Sequence, residues 1–264
     1  MQYGQRQTGS GREPLAKDPL IVLRIGNIEL GAVPRVAVPL TDAEVDETAA
    51  ALAAALRWAD VVELRVDMFA SREPQHVASV CEKVKKCGAA LLVTVRSGDQ
   101  GGARDIDDSS RLDLYRAALP FADAFDVELH SPICDDVLAL AAGRSLTTIA
   151  SHHDFATTPA QSALHSLLTE ATAHGADIVK IAATAHDSLD RNRLLDLLRD
   201  GPTDAMIVIA MGEQGAASRV FFPLCGSLLT YGFLNEAVAP GQMSIRALHS
   251  ELARYSPDFA AAHS

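Results

Sequence analysis

The chain repeats one pattern eight times: a short run of apolar, often β-branched residues, then a longer stretch with apolar positions at helical spacing. A short apolar run bounded by turn residues predicts a buried strand, and recurrence every three to four residues predicts an amphipathic helix. Strands that are apolar on both faces need cover on both sides, so the pattern predicts a parallel sheet flanked by helices. Closure into a (β/α)8 barrel is the simplest arrangement.

The predicted elements alternate along the chain. Strands are predicted over residues 35–39, 61–66, 89–95, 124–129, 146–150, 178–181, 206–210 and 228–231. Helices are predicted near residues 42–57, 74–87, 107–119, 134–142, 159–174, 187–199, 215–220 and 243–254. A capping-box pattern over residues 41–44 and Pro159 at a first helical position support two of the helix starts. Gly26-Asn27, between two apolar runs, predicts a β-hairpin that closes the bottom of the barrel.

A doubly wound open sheet is the rival fold. No predicted strand is followed by the Gly-x-Gly-x-x-Gly fingerprint of dinucleotide-binding sheets, and Gly212-x-x-Gly215 alone is too weak a match. The length of 264 residues agrees with one barrel, for which about 250 residues is typical. We expect a single domain over residues 19–255, a disordered leader over residues 1–18 and a flexible tail over residues 256–264.

Composition and charge narrow the classes of function. A net charge of −11 disfavours nucleic acid and anionic membranes as partners, because both bind basic surfaces. No apolar run reaches the roughly 18 residues of a membrane span. The four cysteines lack CxxC or metal-finger spacing, so we expect reduced packing residues in a cytoplasmic protein.

Polar residues collect where the predicted strands end, which is the edge at which barrel enzymes carry out chemistry. The second strand ends in Glu63-Leu-Arg65-Val-Asp67, and strand alternation places these three charged groups on one face. Buried charges are costly unless they meet each other or a ligand, so a structural ion-pair ladder is the alternative to a binding site. Further polar residues at these ends are Arg96, Asp126, Glu128, His153, Lys180 and Arg219.

Lys180 interrupts an otherwise apolar strand. Such a lysine is either paired with a carboxylate or kept neutral by burial, and a neutral amine is a nucleophile. The adjacent histidines, His152 and His153, point to opposite faces of a strand, and no further ligand at suitable spacing completes a metal site. We therefore expect no metal, and His153 is either a general base or a core histidine.

The motifs, taken in order, make the chain resemble the type I 3-dehydroquinate dehydratase family from Gly26 to about Leu252. The matching parts are Glu63-Leu-Arg65-Val-Asp67, Arg96-Ser-x-x-x-Gly101-Gly102, Ser151-x-His153-Asp154-Phe155-x-x-Thr158-Pro159, Val179-Lys180-Ile181-Ala182, Ser218-Arg219, Gly226-Ser227-x-x-Thr230 and Ala239-Pro240-Gly241-Gln242. Several short motifs in the correct order are more specific than any one of them.

The resemblance implies a hydro-lyase of the shikimate pathway that converts 3-dehydroquinate, a small anionic cyclic keto-acid, to 3-dehydroshikimate. It implies that Lys180 forms a Schiff base with the ring ketone and that His153 moves the proton. Arg219 then binds the substrate carboxylate, and Asp126 and Glu128 orient His153 from behind. Contacts to the ring substituents are implied for Glu63, Arg65, Arg96 and Gln242. The resemblance implies no metal or organic cofactor, and it is the sole basis for expecting a homodimer.

Two residues depart from the family pattern. Gln100 stands where the family has a glutamate before the Gly-Gly pair; the amide can still support His153 by hydrogen bonding, but it cannot titrate or stabilise an imidazolium. Val238 replaces the substrate-facing serine of the family's Ser-Ala-Pro-Gly-Gln lid, so an apolar surface replaces a hydroxyl. Two alternatives therefore stay open: a divergent Schiff-base lyase or aldolase for another cyclic keto-acid, and a binding relative with impaired catalysis.

Overall fold

The computed structural model describes residues 22–47, 49–201, 203–237 and 241–264, so the predicted leader and Val238 lie outside the described residues. The strands are β1 (Arg24–Ile25), β2 (Ile28–Glu29), β3 (Arg35–Leu40), β4 (Val61–Arg65), β5 (Ala90–Thr94), β6 (Ala124–Glu128), β7 (Thr147–Asp154), β8 (Ile178–Thr184), β9 (Met206–Met211), β10 (Leu229–Phe233) and β11 (Met243–Ser244). The helices are α1 (Asp42–Glu47), α2 (Ala49–Leu56), α3 (Pro74–Lys86), α4 (Asp108–Ala118), α5 (Cys134–Ala141), α6 (Gln161–Ala173), α7 (Ser188–Asp200), α8 (Ser218–Leu224), α9 (Ile245–Tyr255) and α10 (Pro257–Ala262).

The strands from β3 to β10 form a parallel sheet in the order β10-β3-β4-β5-β6-β7-β8-β9, and the short β11 pairs with β10. The ends of this sheet meet where the amide of Leu228 donates to the carbonyl of Met206 at 2.9 Å. The predicted (β/α)8 barrel is therefore confirmed. Two strands extend furthest past their predicted ends, since β7 continues to Asp154 and β8 to Thr184. Polar residues from Ser151 end the apolar run of β7, and small alanines follow Ile181 in β8, but the parallel ladder continues through His153 and Ala182.

The predicted hairpin is also confirmed. Strands β1 and β2 pair in antiparallel register around Gly26, whose φ of 58° suits glycine. Ile25 and Leu30 are 0% and 6% exposed and pack under the barrel. They share one apolar cluster with inward residues from the amino-terminal halves of the strands, including Val61, Leu92, Ile149, Ile178, Ile207 and Leu229. The hairpin thus closes the bottom of the barrel and leaves the carboxyl ends of the strands open for a site.

The end of the chain differs from the flexible tail that composition predicts. Residues 257–262 form α10, which Ser256 caps by accepting from the amide of Phe259. Phe259 is 0% exposed and stacks on His263 at 4.0 Å between ring centroids. His263 in turn lies 2.8 Å from a carboxylate oxygen of Asp60. A serine followed by proline is a helix-start signal, and it outweighs the small, polar composition of the segment.

The described cysteines form no disulfide. Cys81 and Cys134 are buried, as predicted for packing residues, but Cys87 is exposed just after α3, so the prediction is wrong for that residue. None of the helices in the described ranges has the length and apolar character needed to cross a membrane.

Replacing Phe259 tests the docking of α10. We expect Phe259→Ala to lower the free energy of unfolding by about 3 kcal/mol, since a fully buried ring leaves a cavity. Tyr255→Ala, at a position 60% exposed, is the matched control and should change stability by less than about 0.5 kcal/mol. Urea unfolding measures both variants, and equal stabilities would show that α10 does not contribute to the fold.

Candidate active site

A pocket opens along the barrel axis at the carboxyl ends of the strands. The residues predicted for the site that line it are Glu63, Arg65, Arg96, Gln100, His153, Lys180, Arg219 and Gln242. The remaining lining residues are Pro39, Gly101, Phe155, Ala182, Ile209, Met211 and Tyr231. Asp126 and Glu128, also predicted for the site, are 0% and 2% exposed and do not line the pocket. Alternation along the strands brings Glu63, His153 and Lys180 to the barrel interior, and the segments that follow the strands supply Gln100, Arg219 and Gln242.

Lys180 lies at the centre of this pocket and is 5% exposed. Its Nζ donates to Oδ2 of Asp126 at 2.8 Å and lies 4.0 Å from Oε1 of Glu63. The same ammonium lies 4.4 Å from the ring centroid of Tyr231, within cation-π range. The strand pattern left open whether the lysine is paired or neutral, and the structure contains the paired arrangement.

Asp126 is held ionised beneath Lys180. Burial acts to raise its pKa, but the charges of Arg96 and Lys180 outweigh burial and lower the pKa below the ordinary value. Arg96 donates to Oδ1 of Asp126 at 2.8 Å, to Ser151 at 2.7 Å and to Glu128 at 2.9 Å. The Arg96 guanidinium therefore binds the two carboxylates beneath the pocket, Asp126 and Glu128.

Arg111 extends this network and was not predicted from the sequence. Its guanidinium donates to Oε2 of Glu128, to the carbonyl of Val95 at 2.9 Å and to Ser131 at 2.9 Å. Although it lies on a surface helix, α4, it is 1% exposed. The available signal was an arginine in the apolar stripe of α4, which continues through Leu114, Tyr115 and Ala118.

His153 lies at the rim of the site on β7. Burial, with the charges of Arg96 and Lys180, lowers its pKa well below the ordinary 6.5, so the imidazole is neutral at physiological pH. Its backbone amide donates to Oε1 of Gln100 at 2.8 Å, and its buried Nδ1 has no hydrogen-bond partner among the described residues. A neutral imidazole with an unpaired nitrogen can accept a proton.

The structure places two carboxylates differently from the sequence prediction. Asp126 and Glu128 were expected to orient His153 directly, but their hydrogen bonds go to Lys180, Arg96 and Arg111. The cations that bind these carboxylates are Lys180 on β8, Arg111 on α4 and Arg96, which follows β5. Support for His153 from this pair is thus electrostatic and indirect.

The three charged residues at the end of β4, Glu63, Arg65 and Asp67, form two separate groups. Arg65 binds Asp67 through two hydrogen bonds of 2.9 and 2.8 Å. Asp67 is fully buried in a 3-10 turn after the strand and also accepts from the backbone amide of Ala103 at 3.1 Å. This pair fits the structural ion-pair alternative, although Arg65 still reaches the pocket. Glu63 accepts from Thr94 at 2.8 Å and lines the pocket beside Lys180.

Arg219, on α8, and Gln242, in the loop before β11, also line the pocket. Arg219 donates to the carbonyl of Gly241 at 2.9 Å, which ties it to the loop that carries Gln242. Burial lowers the pKa of Arg219 to about 10, so it remains a cation at neutral pH. The described residues contain no cluster of three or more His, Cys, Asp or Glu side chains suited to a metal ion.

Comparison with known proteins identifies the family. Residues 36–256 match the family model described as type I 3-dehydroquinase. The chain belongs to the type I 3-dehydroquinase family. The 3-dehydroquinate dehydratase of Thermodesulfovibrio yellowstonii is 35% identical over 215 residues, covering 81% of this chain and 92% of that protein. The one from Methanocella arvoryzae is 34% identical over 215 residues, covering 81% and 94%.

Solved structures of this family have the same fold. The 3-dehydroquinate dehydratase from Aquifex aeolicus has a TM-score of 0.75 at 31% identity, covering 84% of this chain and 99% of that chain. A type I enzyme from Clostridium difficile, solved with covalently modified comenic acid, has a TM-score of 0.76 at 28% identity, covering 88% and 96%. The family assigned from sequence motifs is confirmed.

The charge network beneath the pocket predicts a large loss of stability when Arg111 is truncated. We expect Arg111→Met to lower the free energy of unfolding by roughly 3–5 kcal/mol, because it leaves Glu128 buried with one cationic partner fewer. Arg116→Met on the same helix removes an exposed pair with Asp113 and should cost under about 0.5 kcal/mol. Chemical denaturation of both variants gives the comparison, and equal losses would contradict a structural role for the network.

Proposed function

We propose that this chain is a type I 3-dehydroquinate dehydratase, a hydro-lyase that converts 3-dehydroquinate to 3-dehydroshikimate through a Schiff base on Lys180. The observation that carries the proposal is a buried lysine facing a polar pocket beside a neutral histidine, in a chain of this family. The activity places the protein in the shikimate pathway and thus in the synthesis of aromatic amino acids.

The covalent step begins when Lys180, after losing its proton, attacks the ketone carbon of the substrate. The carbinolamine that results loses water, and a carbon–nitrogen double bond forms with a positive charge on nitrogen. This iminium carries the same charge as the ammonium that it replaces. Asp126, 2.8 Å from Nζ in the free site, therefore faces a cation again once the iminium has formed.

The iminium draws electrons from the neighbouring carbon and acidifies its hydrogen. Neutral His153 takes that proton, and the electron pair moves toward nitrogen to form an enamine. The electrons then return to expel the hydroxyl group, to which His153 gives its proton, so that water leaves. A second water hydrolyses the conjugated iminium, which releases the enone acid and regenerates Lys180.

The polar residues of the pocket other than Lys180 and His153 bind the substrate. Arg219, a cation that lines the same pocket as Lys180, binds the carboxylate through charge-assisted hydrogen bonds. Glu63, Arg65 and Gln242 contact the ring hydroxyls and orient the ketone. Contacts to substrate from Arg96 and Val238 stay predictions, the first because its guanidinium already binds carboxylates and the second because it lies outside the described residues.

We further propose a cytoplasmic setting and a homodimer. Four cysteines without a disulfide suit a reducing compartment. The homodimer is carried by the family resemblance alone.

Removal of the Lys180 amine tests the proposed function. We expect the parent protein to produce enone absorbance from 3-dehydroquinate, and Lys180→Met to lose turnover by about 10⁴-fold or more, as when other covalent nucleophiles are removed. Lys86→Met, at an exposed position on α3, is the control and should keep full activity. No enone from the parent protein would refute the substrate, and an active Lys180→Met variant would refute the Schiff base.

The pH profile tests the role of His153 and of its neighbour Gln100. His153 acts as a base only when neutral, so kcat/KM falls as the pH drops through its pKa. Because that pKa is lowered well below 6.5, we expect the midpoint of the acid limb to lie below pH 6.5. Gln100→Glu adds a carboxylate that favours the imidazolium, and should move the midpoint to higher pH and raise kcat.

The matched control is Gln75→Glu, which adds the same charge at an exposed position of α3. It should leave the pH profile unchanged. If Gln100→Glu gave an unshifted midpoint and a rate no higher than the parent's, Gln100 would not limit catalysis.

A further inference from the structure

Unpaired buried polar atoms single out one residue of the pocket that the mechanism leaves unused. Within the described ranges, three buried side-chain nitrogen or oxygen atoms have no hydrogen-bond partner, and two of them belong to residues that line the active site. These are Nδ1 of His153 and the hydroxyl of Tyr231. Buried polar atoms are almost always paired, so each exception needs an explanation. The mechanism uses His153 but gives no task to the Tyr231 hydroxyl.

Tyr231 belongs to the interior of the barrel. It lies on β10, is 4% exposed and packs in the apolar cluster that includes Ala182, Ile209 and Met211. Its ring faces Lys180, whose Nζ lies 4.4 Å from the ring centroid. The side chain is thus fixed by apolar packing next to the atom that attacks the substrate.

The hydroxyl of Tyr231 is a hydrogen-bond donor at any physiological pH. Burial, followed by the negative charges of Glu63 and Asp126, raises its pKa well above 10, so the proton stays on oxygen. A phenol in this state seeks an acceptor oxygen. Hydroxyl and carbonyl oxygens are the substituents that a cyclic keto-acid brings into the pocket.

We propose that Tyr231 is a specificity-determining residue whose hydroxyl donates a hydrogen bond to a substrate oxygen at or beside the carbon attacked by Lys180. The inference rests on the proposed function for the class of ligand. Because Nζ bonds to the ketone carbon, oxygen atoms on that carbon and its neighbours come close to a ring only 4.4 Å from Nζ. A ligand without such an oxygen leaves the phenol unpaired and is disfavoured, which is how sites reject analogues that lack a hydroxyl.

The proposal predicts opposite effects on stability and on binding for Tyr231→Phe, which removes one oxygen atom. In the free protein this oxygen has no partner, so its loss should leave the melting temperature unchanged or raise it. In the complex a hydrogen bond is lost, so KM and the dissociation constant for 3-dehydroquinate should rise roughly 3- to 10-fold, the effect of one neutral hydrogen bond. The value of kcat should change less than KM.

Two tyrosines provide matched controls. The Tyr115 hydroxyl donates to the carbonyl of Asp126 at 2.6 Å and accepts from the amide of Val95 at 3.1 Å, so Tyr115→Phe should lower the melting temperature. Tyr255 is 60% exposed, and Tyr255→Phe should change neither stability nor KM. The comparison separates loss of a paired phenol, loss of an unpaired phenol and loss of a solvated phenol.

The experiment combines thermal unfolding, steady-state kinetics and calorimetric titration with 3-dehydroquinate. Weaker binding by Tyr231→Phe at unchanged or increased stability supports the proposal. Unchanged binding overturns it, and so does a loss of stability as large as that of Tyr115→Phe, which would make the hydroxyl part of the fold.

Failure of the proposed function gives a different result. A parent protein that binds 3-dehydroquinate without forming enone refutes the dehydratase activity, while weaker binding by Tyr231→Phe still supports this role. A parent protein that does not bind the keto-acid overturns both proposals.

Discussion

The contact between Lys180 and Asp126 is the interaction on which the rest of the site depends. A lysine that is 5% exposed inside a barrel needs an anion, and Asp126 provides one at 2.8 Å. Asp126 also pairs with Arg96. Arg96 in turn pairs with Glu128, and Glu128 pairs with Arg111. The buried amine thus belongs to a network of charges on β6, β8, α4 and the segment that follows β5.

The barrel separates this polar layer from an apolar one. Toward the amino-terminal ends of the strands the interior is filled by residues such as Ile149 and Ile178, and the hairpin residue Ile25 covers it from below. This apolar layer excludes water from beneath the charged residues. Their electrostatic interactions are therefore stronger than they would be in water. In the proposed mechanism an iminium takes the place of the ammonium, and the charge balance of this layer is preserved.

Much of the fold and part of the site could be predicted from the sequence. Strand alternation placed Glu63 and Arg65 on one face, the apolar strand around Lys180 singled out that lysine, and motif order indicated the family. The incorrect predictions concern contacts between segments that are distant in the sequence. Arg111 on α4 donates to Glu128 on β6, so Glu128 does not hydrogen-bond His153 as we expected. Tyr231 was missed because an aromatic residue in a strand is ordinarily a packing residue, and its unpaired hydroxyl exists only in the folded interior.

Trapping the covalent intermediate shows whether Lys180 forms the Schiff base. The parent protein is incubated with 3-dehydroquinate, reduced with borohydride and digested, and the peptides are analysed by mass spectrometry. We expect one adduct, on the peptide that contains Lys180. The adduct should depend on the keto-acid, and the peptide with the exposed Lys86 should carry none in the same digest. If the Lys180 peptide stayed unmodified under conditions of active turnover, Lys180 would not form the Schiff base.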